Sequence, residues 1–164
     1  MANLKDLKAQ AISKYIRNCV PGGRRYRVYT YENIPNSVLN NALSYYANSI
    51  PEEQVLGIID TSFMKNGKSG IVFGEYGYSV SEATKKYNEY PRLLGDDFEE
   101  YNVDAVNTIS KMMCELSQEY AKNKERNKGV AKKVLTGLGV LVTQVVKAKL
   151  KNLRTGAIAM QTFN

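Results

Sequence analysis

The chain has no histidine and no tryptophan among its 164 residues, and only two cysteines. The absence of histidine excludes catalytic triads with a histidine base, zinc sites with imidazole ligands and histidine-based pH switches. Cys19 and Cys114 lie far apart in sequence, and we expect two reduced thiols on helix faces. The N-terminus has no continuous apolar run, so we expect no signal peptide and a cytoplasmic protein.

Hydrophobic residues make up 43% of the chain, which suffices for one domain with a buried core. The net charge of +7 is unevenly distributed, because residues 1–30 and 101–164 are basic and residues 31–100 are acidic. The basic ends either attract the acidic centre on folding or form a surface for an anionic partner.

Apolar residues at helical spacing predict three helices, over residues 4–18, 36–48 and 103–122. The apolar stripe of the first helix comprises Leu4, Leu7, Ala11, Ile12, Tyr15 and Ile16. We place Lys5, Lys8 and Arg17 off this stripe.

Period-two alternation predicts a strand over residues 24–31, and two apolar runs predict strands over residues 55–63 and 70–80. Asn66 and Gly67 stand between the two apolar runs. This pair predicts a hairpin with a two-residue type I′ turn, in which both central residues have positive φ.

We therefore predict an α+β fold in which a small antiparallel sheet packs against helices within residues 1–125. Residues 81–102 are polar and acidic, which predicts an irregular loop with a short strand or a helical turn. Residues 126–164 form a basic amphipathic segment. Its predicted helix packs on the core, docks on a partner or lies on an anionic membrane.

Two motifs that resemble reaction chemistry are better explained as structure. Gly67, Lys68 and Ser69 match the end of a phosphate-binding loop, but Ser62 replaces its first glycine and a strand, not a helix, follows. Asp60 ends an apolar strand, and we expect its carboxylate to accept local hydrogen bonds rather than to act as a nucleophile.

Acidic residues 96–100 lack the ligand spacing of a calcium loop and predict a solvated loop or a contact for the basic ends. We expect no cofactor, no metal and no small-molecule substrate. The candidate partner- or anion-binding residues are Arg24, Arg25, Arg27, Lys132, Lys133, Lys147 and Lys151. The three arginines alternate with tyrosines, a composition that suits nucleic-acid binding or the solvated face of a strand.

Residues 34–80 resemble an uncharacterised group of bacterial proteins with a pleckstrin-homology-like hairpin module. The resemblance is carried by Ile34-Pro35, Leu39 to Ala42, Tyr46-Ala47, Pro51 to Glu53, Val55 to Phe63 and Gly67 to Phe73. It implies a binding module without an enzymatic site.

The function expected from the sequence is therefore a non-enzymatic interaction module that binds a protein partner. The small size of the chain and its lack of a catalytic constellation suggest a phage or mobile-element setting. The alternative is a peripheral protein that binds an anionic membrane or nucleic acid through its basic ends.

Overall fold

A computed structural model describes residues 3–80, 83–87 and 93–126 of the chain. Three α-helices lie in these ranges: α1 (Leu4–Tyr15), α2 (Asn36–Tyr45) and α3 (Val103–Arg126). The predicted C-terminal helix, with Lys132, Lys133, Lys147 and Lys151, lies outside the described residues.

Five antiparallel strands in the described ranges form one sheet in the order β1 to β5, each beside its neighbours in sequence. The strands are β1 (Arg27–Thr30), β2 (Val55–Asp60), β3 (Gly70–Gly74), β4 (Gly77–Val80) and β5 (Ala83–Lys86). The predicted α+β class, with an antiparallel sheet and helices, is confirmed.

Helices cover both faces of the sheet, and every residue of β2, β3 and β4 is buried. Leu56, Ile59 and Phe73 face the cluster that contains α1 and α3, whereas Ile58 and Val72 face the cluster that contains α2. Strands that are buried on both faces read as continuous apolar runs, which is why β2 and β3 are visible in the sequence.

Gly57 allows α1 to pack directly on β2. A Cβ atom at this position would lie 2.8 Å from side-chain atoms of both Ile12 and Ile16. The register between β2 and β3 also shifts between Val55 and Gly57, which marks a bulge at this contact.

The single strand predicted over residues 70–80 is wrong, because the chain reverses there. Gly74 ends β3 and Gly77 begins β4, with Glu75 and Tyr76 between them. The two glycines and Glu75 interrupt the apolar run and were a signal of the reversal that the prediction of one strand passed over.

Other predicted element ends differ by a few residues. The first helix becomes 3-10 helical at Ile16–Cys19, and the second ends at Tyr45 rather than 48. The strand predicted over residues 24–31 begins at Arg27, and Tyr31 starts a 3-10 turn. Residues 81–102 contain the short strand β5.

The prediction that Lys8 lies off the apolar stripe of the first helix is wrong, because the residue is 0% exposed. Its ammonium donates a hydrogen bond to the backbone oxygen of Glu75 at 2.7 Å and lies 5.1 Å from the centre of the Tyr76 ring. Burial lowers the pKa of Lys8 from 10.5 to about 8, against the opposing effect of Glu75. The lysine thus joins α1 to the reversal between β3 and β4.

Candidate functional site

The loop between β2 and β3 is organised by Asp60, which is only 1% exposed. Its Oδ1 accepts hydrogen bonds from the Ser62 backbone N–H at 2.9 Å and from the Ser62 hydroxyl. Its Oδ2 accepts one from the Gly67 N–H at 3.1 Å. The prediction that Asp60 accepts local hydrogen bonds is confirmed.

Further hydrogen bonds close the loop and attach it to α2. The Ser62 hydroxyl oxygen accepts from the Asn66 N–H at 2.9 Å. The Asn66 carbonyl accepts from Nδ2 of Asn41, on α2, at 2.7 Å, and the Thr61 N–H donates to the Ser69 carbonyl at 3.0 Å. Residues 61–69 are therefore held in one shape by their own polar groups.

The predicted two-residue type I′ turn at Asn66-Gly67 is wrong. The connection comprises residues 61–69, and its positive φ angles are at Lys65 (52°) and Gly67 (80°) but not at Asn66. The buried carboxylate of Asp60 explains the difference, because it recruits backbone N–H groups from across the loop.

Gly67 packs the loop directly against α2. A Cβ atom there would lie 2.5 Å from the carbonyl oxygen of Val38 and 2.9 Å from its Cα. The strand that follows Gly70 and the absence of a helix start agree with a structural rather than a phosphate-binding role for Gly67, Lys68 and Ser69.

The outer side of this loop carries two strongly exposed apolar side chains. Phe63 is 96% exposed and Met64 is 74% exposed. Tyr45, at the end of α2, is 53% exposed, and the Lys68 ammonium lies 4.8 Å from the centre of its ring. We call Tyr45, Phe63, Met64, Lys65 and Lys68 the tip patch.

The helix beside the tip patch has no charged residue. Its sequence, NSVLNNALSY, presents asparagine, serine and tyrosine wherever it is exposed. Val38 and Ala42 bury the inner face of this helix against Ile58 and Val72. The tip patch and α2 therefore form a surface of aromatic, methionine and uncharged polar side chains, edged by two lysines.

The predicted arginines lie at the same end of the strands as this loop. Arg27 pairs with Asp60 in the register of β1 and β2, and Arg24 and Arg25 precede it. All three are exposed. The structure thus brings these sequence-predicted residues close to the loop in the sheet.

The tyrosines that alternate with the arginines are used in packing. The Tyr26 ring lies 6.4 Å from the ring of Tyr101, and Tyr29 packs against the cluster that contains α2. Tyr31 is 48% exposed and lies beneath the ammonium of Lys5. The arginine side chains, rather than a row of rings, are what this strand offers to an anionic ligand.

The acidic 96–100 segment directly precedes Tyr101 in the chain. Tyr101, which follows Glu100, hydrogen-bonds the side chain of Thr61 at the base of the loop. Asp96, Asp97, Glu99 and Glu100 are exposed. In the described part of the chain, no cluster of three or more histidine, cysteine, aspartate or glutamate residues could hold a metal ion.

Cys19 and Cys114 are buried thiols and are not joined by a disulfide. Burial raises the pKa of both, so neither is set up as a thiolate at neutral pH. None of the helices within the described ranges combines the length and the apolar character needed to cross a membrane.

Sequence reasoning missed the tip patch because it assigned Phe63 to the strand 55–63. A signal was present: TSFMKNGKS places one apolar pair inside a polar nine-residue stretch. An apolar pair in such a stretch either packs inward or is exposed, and the structure exposes it.

Comparison of the chain with protein-family models, with curated proteins and with solved structures found no match.

Proposed function

We propose that this protein is a non-enzymatic interaction module that binds a protein partner through the tip patch. The observation that carries the proposal is the exposure of Phe63 and Met64 on a loop that Asp60 holds in shape. Contiguous exposed apolar side chains with a polar rim are typical of interaction sites in folded proteins.

The composition of the surface supports a protein as the partner. The cores of protein interfaces are enriched in aromatic residues and methionine and depleted of charge. Tyr45, Phe63 and Met64 supply the first feature, and the uncharged helix α2 supplies the second.

The rigidity of the loop supports the same function. Ordering a flexible loop on binding costs free energy, and a loop already in its bound shape avoids that cost. Hydrogen bonds from Ser62 and Gly67 to Asp60, and from Asn41 to Asn66, provide this order before any partner arrives.

Three buried polar side chains, those of Asp60, Lys8 and Ser79, support a structural rather than a catalytic use. Asp60 is occupied by loop N–H groups, Lys8 by the Glu75 carbonyl, and the Ser79 hydroxyl donates to the Tyr46 carbonyl at 2.6 Å. Each of these groups has its hydrogen bonds within the fold.

Quantitative affinity capture from a lysate of the source cells tests the proposal. The tagged native chain is compared with Phe63→Ser/Met64→Ser. We expect a stoichiometric protein partner to be captured by the native chain and to fall at least tenfold with the double variant, since interface aromatics carry much of the binding energy.

Leu93→Ser is the matched control, because Leu93 is an exposed apolar residue (45%) outside the tip patch. The alternative is binding to nucleic acid or an anionic membrane through Arg24, Arg25 and Arg27. Capture that persists after nuclease treatment and removal of membranes from the lysate is not explained by this alternative. Equal capture by the native chain and the double variant contradicts the proposal.

A further inference from the structure

We infer that the tip patch recognises an acidic protein segment with an apolar side chain or pocket at its centre. This inference rests on the proposed function and specifies the chemistry of the partner. Phe63 and Met64 would enter the apolar contact. Lys65 and Lys68 would meet carboxylates around it.

The two lysines give the tip patch a positive charge that is not taken up in an ion pair with any described residue. Both are exposed, and neither forms an ion pair with an acidic side chain among the described residues. Helix α2, on which the loop rests, carries no acidic residue. An acidic segment would therefore gain attraction without displacing an existing ion pair.

The positions of the lysines are fixed by the loop. Lys68 lies over the Tyr45 ring, 4.8 Å from its centre, and its N–H donates to Oδ1 of Asn66 at 3.3 Å. The Lys65 backbone has φ of 52°, an uncommon value for a residue with a side chain, and its N–H donates to the Ser62 carbonyl at 3.0 Å. Lys65 thus follows the apolar pair directly in the chain, and the Lys68 ammonium lies against the Tyr45 ring of the same patch.

Charge argues against two occupants that belong to this chain. A second copy docked tip to tip would place Lys65 and Lys68 against their own counterparts. Residues 127–164 carry seven lysine and arginine residues and no acidic residue, so this segment would also be repelled.

The neighbourhood of the patch favours a protein segment over an anionic membrane. Glu99 and Glu100 lie next to Tyr101, whose hydroxyl bonds Thr61 at the base of the loop. A broad anionic membrane would approach these carboxylates as well as the lysines, whereas a narrow protein segment contacts the patch alone.

Selection from a displayed random-peptide library tests the inference. The probes are the native chain, Phe63→Ser/Met64→Ser and Lys65→Glu/Lys68→Glu. On the native chain we expect peptides with an excess of aspartate and glutamate around an apolar residue. We expect the charge-reversed variant to select basic peptides instead, because it inverts the sign of the rim.

Affinities of synthetic copies of the selected peptides give the quantitative result. We expect binding to the native chain to weaken about tenfold when salt rises from about 0.05 M to 0.5 M, as screening predicts. All variants change exposed residues, and circular dichroism verifies that they remain folded.

The outcomes separate the inference from the function on which it rests. Neutral or basic peptides on the native chain overturn the acidic partner but leave docking through Phe63 and Met64 in place. A selection no different from that of Phe63→Ser/Met64→Ser overturns docking itself. The native chain is also sedimented with phosphatidylserine-containing vesicles. Co-sedimentation that Phe63→Ser/Met64→Ser abolishes assigns the patch to membranes and also overturns the inference.

Discussion

At the residue scale, Lys8 shows how one long side chain can be polar in sequence and interior in the fold. Its aliphatic stem lies within the packed side of α1, and its ammonium reaches the Glu75 carbonyl and the Tyr76 ring. Lys8 lies four residues from both Leu4 and Ile12, so helical periodicity puts its position on the apolar face of α1, and only its residue type suggested otherwise. The acceptor that draws it inside lies 67 positions away in the chain.

Lys8 should make the free energy of unfolding depend on pH in the alkaline range. The pKa is about 8 when folded against an ordinary 10.5, so between these values the unfolded chain binds a proton that the folded chain has lost. Stability from this group therefore rises with pH across that window. Relative to Lys8→Met, the native chain should gain about 2 kcal/mol between pH 7 and pH 10 in urea unfolding.

The exposed Lys111→Met serves as the control for this experiment, and comparison with a variant removes the shared contributions of tyrosines and cysteines. If the free energies of unfolding of the native chain and of Lys8→Met change in parallel with pH, the burial of the Lys8 amine in the folded protein is contradicted.

Gly67 offers a second residue-scale prediction. Gly67→Ala should destabilise the fold by about 2–4 kcal/mol, because the new Cβ meets the Val38 backbone at a positive φ of 80°. Urea unfolding measures this. Gly22→Ala is the control, since nothing lies within 4 Å of a Cβ there, and it should change stability by less than about 0.5 kcal/mol.

At the element scale, the strands buried on both faces were the most predictable parts of the fold. Ile58, Ile59, Ile71 and Val72 are apolar because each faces one of the two helical layers. The reversal at Glu75 and Tyr76 was missed although Gly74, Glu75 and Gly77 break the apolar run, because the turn between them is only two residues long. The resemblance of residues 34–80 to a pleckstrin-homology-like module stays a prediction.

The shape of the loop was less predictable, because a side chain determines it. Asn-Gly favours a tight turn when only backbone preference acts. Here Asp60 accepts from both Ser62 and Gly67, so the wider loop satisfies more buried polar groups. The role of Asp60 as a local acceptor could be predicted, but the residues that donate to it could not.

Asp60→Asn tests this role of the carboxylate. An asparagine amide can accept through one oxygen only, so its NH2 group would face an N–H donor of the loop. We expect a loss of about 2 kcal/mol in stability and faster hydrogen exchange at the Gly67 amide. Asp104→Asn, at an exposed position, is the control. Unchanged exchange at Gly67 would contradict the loop geometry.

At the scale of the whole molecule, the fold places the proposed binding residues at one end of the strands of the sheet. The loop after β2, the arginines at the start of β1 and the segment before α3 meet there, through the pairing of Arg27 with Asp60 and the contact of Tyr101 with Thr61. The sequence indicated the basic character of Arg24, Arg25 and Arg27. Only the fold shows that they neighbour the tip patch, since residues far apart in the chain form it.

The most direct test of docking through the tip patch is site-specific photocrosslinking in the source cells. A photoreactive phenylalanine analogue replaces Phe63 in one version of the chain and Leu93 in another. If the tip patch docks on a protein, position 63 gives one abundant protein adduct that is absent from position 93. Adducts of equal yield from both positions, or none from position 63, would contradict this docking.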